Sequence, residues 1–563
     1  MQKQNNQQNQ GQHWLDKLAK GILSWQEKKH IAKLHVDDMK TPSGRVHTGA
    51  LRGVMLHDLV AKAVVEELER QGRSEEAAAV VSTYVFNDMD PMDGLPAYLD
   101  EKIYAEHMGK PLAQIPRPEL DACGIDLSKM SESERQDFEK AKNFAELYAI
   151  DFIHALRKLG CDQEIIWSHQ LYEAGKMDEV IGVALDNVEK FRQIYKEVAD
   201  YDLPDNWYPF QVICPVCGKV GTTLVTDWDG QEVTFECQED KVDWAKGCGH
   251  QGKISPFGGN GKLLWKADWP AHWRTLGVTV EGAGKDHTSA GGSRDMANAE
   301  SRQIFEIEPP FDIPYEWILI RGAKMSSSKG VGTSAREFTE LFPATVGRFL
   351  FINKHYGQVI DFDPQTMAIP DLFDDYDNAA RIYWGQEEGD QRLGRAFSFA
   401  QIAETPKPLF LARFRDLALW VQYPEKDVYQ EAAKAKGSEL TDLERQVIDE
   451  RLKYVEIWLD KYAPEEFQWR AKAEMPIQAS ELTAEQRDFL QALEGLVESQ
   501  AWQPADLQQA IFELSKENIG PRAAFGAIYL AFLGKKSGPR AAWFLLSIDE
   551  DLRKTRIEEL KNV

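Results

Sequence analysis

The hydrophobic pattern near the start of the chain predicts a strand, a helix and a second strand. Short apolar runs occupy residues 31–36 and 78–86, and both have the length of buried strands. Between them, the apolar side chains of residues 48–70 recur at helical spacing, so that Leu51 and Leu59 share one face. Because two strands joined by a helix lie parallel with a right-handed crossover, this segment predicts the start of a parallel sheet.

A second pair of strands is predicted much further along the chain. Apolar runs at residues 278–281 and 317–320 flank a helical pattern at 293–304. We interpret residues 30–90 and 262–322 as two halves of one nucleotide-binding sheet, separated by roughly 170 inserted residues. The predicted fold class is therefore α/β, with a Rossmann-type parallel sheet split by an insertion that contains a zinc-binding subdomain, followed by an all-α C-terminal region.

The length of 563 residues exceeds what one hydrophobic core supports. Inside the insertion, helical patterns surround a short predicted strand at residues 164–167, and helical periodicity dominates after about residue 335. We expect a disordered Gln/Asn-rich tail at 1–20, the first half of the Rossmann domain at 21–96, a mostly helical insertion at 97–205, a cysteine-containing subdomain at 206–256, the second half of the Rossmann domain at 257–333, a connecting helical domain at 334–390 and a further helical domain at 391–563.

Composition narrows the class of protein. Hydrophobic residues make up 43% of the chain without a continuous apolar stretch of about 20 residues, so we expect no membrane span. The N-terminal sequence lacks the features of a secretory signal, and six cysteines in so long a chain suit a reducing cytoplasm. A net charge of −25 argues against a nucleic-acid partner unless a basic groove exists locally. The sequence has no heptad seam of the kind that would indicate an obligate dimer, so a monomer is favoured.

The segment Thr41-Pro-Ser-Gly-Arg-Val-His-Thr-Gly49 lies between the first predicted strand and the following helix. Gly44 and Gly49 permit close backbone approach, and the free amides at the start of a helix attract phosphate. His47 can donate a hydrogen bond to a triphosphate whose charge rises in a transition state. The plainer interpretation is an ordinary strand-to-helix turn with an incidental histidine, and the helical context together with a second motif outweighs it.

The second motif is Lys324-Met-Ser-Ser-Ser-Lys-Gly330, which follows the apolar run at 317–320. Lysine ammonium groups can neutralise a pyrophosphate leaving group, and Gly322 and Gly330 would let the loop close over ATP. Runs of Ser and Lys are more often solvated linkers. The Met inside a loop next to a strand is unusual for a linker.

Four of the six cysteines form a cluster with the spacing of a metal site. Cys214 and Cys217 make a half-site for tetrahedral zinc, and Cys237 and Cys248 supply the second half. His250 could replace either of the latter two thiolates. The pattern predicts a structural Zn²⁺ held by four cysteines, with a reduced thiol cluster as the alternative.

Both motifs resemble the signatures of class I aminoacyl-tRNA synthetases, His-Ile-Gly-His and Lys-Met-Ser-Lys-Ser. More closely, the chain resembles the class I lysyl-tRNA synthetase family over roughly residues 30–560. Supporting segments are Phe86–Met92, Gly284–His287 and Leu533–Arg540. Two departures stand out: the second His of the first signature is Ala50, and Lys329 lies one place beyond the usual second lysine.

The resemblance implies a lysine–tRNA ligase that binds lysine, ATP with Mg²⁺, and tRNA(Lys). It implies ATP-binding residues Pro42, Ser43, Gly44, His47, Gly49, Lys324, Met325, Ser326, Ser327, Ser328 and Lys329, of which His47, Lys324 and Lys329 would be catalytic. It implies an amino-acid pocket made of Thr41, Trp265, Asp286 and His287, and a tRNA anticodon-binding helical domain with contacts from Lys535, Lys536 and Arg540. Core packing explains Trp265 equally well, because Trp265, Trp269 and Trp273 recur at helical spacing. A solvated helix face explains the C-terminal cations equally well.

Two other functions stay open at this point. A class I synthetase for glutamate or cysteine shares both signatures, and a glutamate pocket needs an arginine such as Arg45 or Arg294. A non-catalytic RNA-binding protein with a synthetase-like fold is the third possibility, although both motifs are retained. The carboxylate that would bind a lysine ε-ammonium is undecided among Asp37, Asp38, Asp88 and Asp90.

Overall fold

A parallel sheet of five strands forms the centre of the computed structural model, which describes residues 12–322 and 333–562. The strands in chain order are β1 (His35–Lys40), β2 (Val81–Phe86), β3 (Glu164–Trp167), β9 (Val280–Gly284) and β10 (Phe311–Tyr315). Their spatial order is β3-β2-β1-β9-β10, and every pairing is parallel. The direction of strand addition thus reverses between β1 and β9, which is where ligands bind in open sheets of this kind.

Helices cover the sheet and its connections. The crossover from β1 to β2 contains α2 (Leu51–Arg70) and α3 (Ser74–Ala78), and the crossover from β9 to β10 contains α11 (Ser293–Gln303). Helix α2 is buried along most of its length, in agreement with its apolar face. Its Gly53 is required by the packing, because a Cβ there would come within 2.7 Å of the Tyr315 hydroxyl and 2.8 Å of an Asp38 carboxylate oxygen.

Each of the five predicted strands overlaps a strand of the structure, but not all of them match it in position or in the sheet that they join. The first strand begins at His35 rather than residue 31, so Asp37 and Asp38 lie inside the strand. The fifth strand of the sheet is Phe311–Tyr315, where Asp312 and Pro314 interrupt the apolar pattern. The predicted strand at 317–320 exists as β11 (Ile318–Ile320), but it pairs with β12 (Ile360–Phe362) outside the main sheet. The prediction of an all-α C-terminal region is therefore wrong at β12.

The insertion differs from the prediction because β3 belongs to the main sheet. One inserted segment separates β2 from β3 and another separates β3 from β9, instead of one block of roughly 170 residues. The helices of these segments are α4 (Glu101–Tyr104), α5 (Glu132–Lys140), α6 (Phe144–Lys158), α7 (Ser168–Glu173), α8 (Asp178–Asp186), α9 (Val188–Ala199) and α10 (Trp265–Leu276).

The cysteine-containing subdomain lies in the second inserted segment. Strand β4 (Phe210–Val212) enters it and pairs antiparallel with β8 (Gly261–Leu263), which leaves it. A three-stranded antiparallel sheet lies between them, formed by β5 (Thr223–Trp228), β6 (Val233–Cys237) and β7 (Gln251–Ile254).

The remaining chain is helical apart from β11 and β12. The helices are α1 (Trp14–Lys29) near the start, then α12 (Ala335–Thr339), α13 (Ala344–Ile352), α14 (Ala368–Tyr383), α15 (Gln391–Ala400), α16 (Phe414–Trp420), α17 (Val428–Lys436), α18 (Asp442–Lys461), α19 (Ala484–Glu498), α20 (Pro504–Glu517), α21 (Pro521–Leu533), α22 (Ala541–Ser547) and α23 (Glu550–Glu559). The described residues form two compact units, one within 1–363 together with 378–405 and the other within 364–377 together with 406–563.

Two expected boundaries change. Helix α1 begins at Trp14 and buries Leu15, Leu18 and Ala19, so the prediction of disorder is wrong for residues 14–20, while residues 1–11 lie outside the described part of the chain. The expected domain start at residue 391 also moves, because residues 391–405 belong to the first compact unit. The described residues contain no helix with both the length and the apolar character needed to cross a lipid bilayer.

Candidate active site

The first motif follows the carboxyl end of β1, as the sequence predicts. Residues 48–50 form a 3₁₀ turn that leads into α2. Gly44 has a φ of 144°, a backbone conformation that favours glycine. Pro42 and Gly44 are buried, whereas Ser43, His47 and Gly49 are half-buried. The turn therefore presents Ser43, His47 and Gly49 at the surface of the sheet edge.

The chain that follows the second motif is hydrogen-bonded to this turn. The Thr48 amide donates to the Thr333 carbonyl at 3.0 Å, and the Ala335 amide donates to the Val46 carbonyl at 2.8 Å. His47 and Ser334 form an antiparallel bridge. Lys324, Met325, Ser326, Ser327, Ser328 and Lys329 lie outside the described residues. The described residues just after them are thus held against the first motif, about 285 positions away in sequence.

A cavity of about 370 Å³ opens where the sheet order reverses. Its walls come from the ends of β1, β9 and β10, the loop after β2, and α10. The lining residues are Asp38, Met39, Lys40, Thr41, Ser43, Asn87, Asp90, Trp265, Asp268, Trp269, His272, Glu281, Gly282, Ala283, Gly284, His287 and Tyr315. This set contains Thr41, Trp265 and His287, three of the four residues assigned to the amino-acid pocket from sequence.

Trp265 is not a core residue. It is the first residue of α10 and its side chain is 49% exposed, whereas Trp269 and Trp273 pack inside. The ring centroids of Trp265 and His287 lie 6.1 Å apart in an edge-to-face arrangement. The fourth expected pocket residue, Asp286, is exposed and is not among the described lining residues.

The four carboxylates left undecided by the sequence separate into two pairs. Asp37 accepts a hydrogen bond from the Thr83 hydroxyl, and Asp88 accepts from the Ser168 hydroxyl at 2.9 Å and contacts His169. Neither lines the cavity. Asp38 and Asp90 do line it.

Sequence reasoning missed two further carboxylates of the cavity, Glu281 and Asp268. Glu281 lies in β9 between Val280 and Gly282, and an acidic residue inside an otherwise apolar strand was the available signal. Its oxygens accept hydrogen bonds from the indole N–H groups of Trp269, at 2.8 Å, and of Trp273. Burial raises the pKa of Glu281 to about 7, against the opposing effect of Arg294.

Asp38, on β1, has a similarly perturbed carboxyl group. One oxygen accepts the Met39 amide at 3.0 Å, and the other lies 3.7 Å from Nδ1 of His57. Burial raises the pKa of Asp38 to about 7. The His57 ring connects helix α2 to β9, because its Nδ1 contacts the Gly53 carbonyl at 2.7 Å and its Nε2 accepts the Gly282 amide at 2.7 Å.

A buried network joins the loop after β2 to α10. Lys262 makes ion pairs with Asp90 and, at 3.3 Å, with Asp268. Although burial opposes its charge, the two carboxylates raise the pKa of Lys262. Burial would likewise raise the pKa of Asp268, but His272 and Lys262 lower it to about 2. Lys262 and Asp268 are therefore both charged at neutral pH.

Arg45 and Arg294, the two arginines that could have bound a glutamate side chain, make their contacts elsewhere. Arg45 forms an ion pair with Glu337 at 2.9 Å. Arg294 is 1% exposed and donates to the backbone carbonyls of Glu281 and Pro310, each at 2.9 Å. No arginine is among the described residues that line the cavity.

The four clustered cysteines come together as the spacing predicts. All four Sγ atoms lie within 4.8 Å of one another, and the Cys214–Cys248 and Cys217–Cys237 pairs are each 3.6 Å apart. Four thiolates at about 2.3 Å from a tetrahedral zinc ion would be about 3.8 Å apart, so this donor set fits zinc. His250 is not part of the described cluster.

The C-terminal cations differ in their surroundings. The Lys535 ammonium donates to the carbonyls of Glu466 and Gln468 and lies 3.9 Å from the centre of the Trp469 ring. Lys536 and Arg540 are exposed. Lys535 thus serves the internal packing of the second compact unit, while the other two face solvent.

Comparisons with known proteins identify the family of the chain. The family model for tRNA synthetases class I (K) matches residues 12–125 and 135–403. A lysine–tRNA ligase from Methanosarcina barkeri (strain Fusaro) is 33% identical over 98% of this chain and 98% of its own length. Another from Methanosphaera stadtmanae is 30% identical over 97% and 99%. A solved glutamate tRNA ligase from Elizabethkingia meningosepticum aligns with 94% of this chain and 99% of its own at 11% identity, with a TM-score of 0.39, too low to bear on substrate. The chain belongs to the class I (K) family of tRNA synthetases.

Proposed function

We propose that the protein is a lysine–tRNA ligase, which activates lysine with ATP and transfers it to the 3′ end of tRNA(Lys). Family membership and near full-length similarity to proteins named lysine–tRNA ligase support this proposal. The observation that carries the choice of amino acid is the charge of the cavity. Asp38, Asp90, Asp268 and Glu281 line it, and Lys40 is the one lysine among the described lining residues.

This charge balance favours an ammonium side chain over a carboxylate. Even with Lys262 counted, four carboxylates face two ammonium groups, and burial lowers the pKa of Lys40. A glutamate side chain would need a cationic partner such as arginine, and Arg45 and Arg294 are both engaged outside the cavity. A substrate ammonium would instead meet carboxylates at short range, where Coulomb attraction is strongest.

The activation step needs no covalent nucleophile from the protein. A carboxylate oxygen of lysine attacks the α-phosphorus of ATP, and the bond from that phosphorus to the bridging oxygen of pyrophosphate breaks with its electron pair. Catalysis then consists of positioning the two substrates and stabilising charge on the phosphates. Mg²⁺ would accompany ATP and neutralise part of that charge.

We assign the phosphates to the first motif and the lysine loop. His47, Lys324 and Lys329 would stabilise the triphosphate, with Pro42, Ser43, Gly44, Gly49, Met325, Ser326, Ser327 and Ser328 around it. The bridge between His47 and Ser334 supports this assignment, because Ser334 follows Lys329 closely in sequence. Thr41, Trp265 and His287 would contact lysine, and Asp286 would act from the edge of the pocket.

Two further features complete the proposal. Cys214, Cys217, Cys237 and Cys248 would hold a structural Zn²⁺ that closes the subdomain between β4 and β8. The helical C-terminal unit would bind the anticodon region of tRNA, with Lys536 and Arg540 as exposed phosphate contacts and Lys535 supporting their bend. We expect a monomer that works in the cytoplasm, where tRNA is charged.

ATP–pyrophosphate exchange tests the proposal directly. The protein is assayed with each amino acid in turn, with and without tRNA. Exchange that depends on lysine alone among the amino acids is the expected result. Exchange with glutamate or cysteine would assign the protein to another class I specificity, and tRNA binding without exchange for any amino acid would identify a non-catalytic RNA-binding protein.

A further inference from the structure

Lys262 is a buried cation that contacts two carboxylates of the cavity wall. It lies on β8 and is 2% exposed. Its ammonium contacts Asp90, from the loop after β2, and Asp268, from α10. Since a buried charge that loses its partner is costly, these three groups hold one another in place.

Asp90 links Lys262 to Thr41, which lines the cavity. One of its oxygens contacts Lys262, and the other accepts a hydrogen bond from the Thr41 hydroxyl at 2.5 Å. The bond fixes the rotamer of Thr41, and because a hydroxyl has a single proton, it leaves the Thr41 oxygen free only as an acceptor. Acceptor oxygens are what an ammonium group requires.

Asp268 is held in the same way on the other side of Lys262. It accepts a hydrogen bond from the Tyr172 hydroxyl at 2.5 Å, and its second oxygen lies 3.3 Å from Lys262. The Tyr172 oxygen in turn accepts the Leu263 amide at 3.1 Å, which attaches the pair to the residue after Lys262. Helix α10, which carries Trp265 at its first turn, is thereby fixed relative to β8.

Two chain segments attach this network to the cysteine-containing subdomain. Strand β8 pairs with β4, which leads directly to Cys214, and Gln211 pairs opposite Lys262. On the second path, the Gly109 carbonyl accepts the Val220 amide at 2.7 Å, and the Leu112 amide donates to the Asp90 carbonyl at 3.0 Å. Asp90 is thus held through its side chain and its backbone by segments that contact the subdomain.

From this geometry we infer that Lys262 is a positioning residue for amino-acid binding: it orients Asp90, and through Asp90 the hydroxyl of Thr41, toward the substrate's amino group. The inference rests on the proposed function, since it takes Thr41 as part of the lysine pocket. It predicts an effect on lysine that is separate from ATP, because the ion-pair partners of Lys262, Asp90 and Asp268, are not among the residues assigned to the phosphates.

The test is a set of steady-state exchange measurements on the full-length protein. Lys262→Met keeps the length of the side chain and removes its charge, and Lys262→Arg keeps the charge. We expect Lys262→Met to raise the KM for lysine at least tenfold with the KM for ATP within twofold of the wild type, and Lys262→Arg to recover part of the loss. Lys253→Met is the control, because Lys253 is a half-exposed ion-paired lysine of β7 in the same subdomain.

Folding is controlled by a double variant. If Lys262→Met alone does not fold, adding Asp90→Asn removes one of the two carboxylates left without Lys262, and Asp268 keeps its contact with His272 at 3.3 Å; the same rise in the KM for lysine is expected from this double variant. A KM for lysine within twofold of the wild type in a folded variant would overturn the inference, as would equal rises for lysine and ATP. Loss of lysine-dependent exchange in the wild type would instead reject the proposed function itself.

Discussion

At the scale of single residues, two carboxylates in the cavity have unusual proton affinity. Burial raises the pKa values of Asp38 and Glu281 to about 7 each. Both groups therefore gain charge within the physiological range, while the ε-ammonium of free lysine stays protonated because its pKa is about 10.4. The affinity of the cavity for an ammonium group becomes pH-dependent as a result.

The expected consequence is a KM for lysine that falls as pH rises from 6 to 8. If the ionised form of one carboxylate binds lysine, the fall is up to about tenfold. Glu281→Gln should flatten the profile, and the KM for ATP serves as the internal reference.

The effect of pH on stability has the opposite sign. The raised pKa of Glu281 stabilises the free fold below the pKa of the unfolded state, and this contribution is lost as pH rises through about 7. The rise in Tm caused by saturating lysine should therefore be larger at pH 8 than at pH 6. A KM for lysine that is the same at pH 6 and pH 8 would contradict the predicted pH dependence of lysine binding.

His47 gives a second prediction at this scale. Replacing His47 with Ala should lower the rate of lysyl-adenylate formation about 10²-fold or more, the size of effect seen when one preorganised donor to a developing charge is lost. Single-turnover formation of adenylate measures it without interference from tRNA transfer. His30→Asn is the control, because His30 is exposed at the end of α1 and Asn tolerates its left-handed backbone conformation. An adenylation rate near that of the wild type would remove His47 from the proposed chemistry.

At the scale of elements, the position of α2 against the sheet determines the shape of the cavity. Gly53 allows the helix to approach Asp38 and Tyr315, and His57 joins the helix to β9 through the Gly282 amide. Strand β10 ends at Tyr315, so one close contact brings together α2 and the two strands on either side of β9, namely β1 and β10. Such an approach has room for hydrogen but not for a methyl group.

Gly53→Ala should therefore destabilise the fold by about 1–3 kcal/mol, as overpacking does. Because the displaced groups line the cavity, the KM for lysine should rise as well. Gly21→Ala is the matched control: Gly21 is also helical, and a Cβ there meets nothing within 4 Å. This control should stabilise α1 by about 0.5–1 kcal/mol. Urea unfolding of both variants makes the comparison, and equal stabilities for the two would show that α2 moves freely.

At the scale of the whole molecule, the cysteine-containing subdomain depends on contacts between segments that are distant in sequence. The cysteine-containing subdomain interrupts the sheet between β3 and β9, yet its first and last strands pair with each other. A structural ion held by the four cysteines would link the segments of this subdomain and fix the position at which the chain enters α10. The zinc content therefore depends on the folded subdomain.

The purified protein should contain about one zinc ion per chain, the content of a single tetrahedral four-cysteine site. Cys214→Ser should lose it and become sensitive to protease within residues 206–256. Cys123→Ser is the control, since Cys123 is a buried cysteine outside the cluster. Elemental analysis and limited proteolysis are the measurements. Full zinc content in Cys214→Ser would show that this thiolate is not a ligand.

The sequence by itself determined the features that are local along the chain. Periodicity located helices 51–70 and 293–303, spacing located the four-cysteine cluster, and the order of strand, glycine-containing turn and helix located the first motif. These signals are local because they depend on the neighbours of each residue, on backbone conformation and on short ligand spacing.

The tertiary structure decided what depends on contacts between distant segments. Membership of β3 in the main sheet, the replacement of 317–320 by β10, and the pairing of Val46–Thr48 with Thr333–Ala335 all rest on such contacts. The acidic cavity is another case, because the sequence signals Glu281 only as an acidic residue inside an apolar strand and does not signal Asp268. Both acquire their character from burial, and Asp268 also from Lys262. Burial and pairing are properties of three-dimensional neighbours, and no pattern along the chain specifies them.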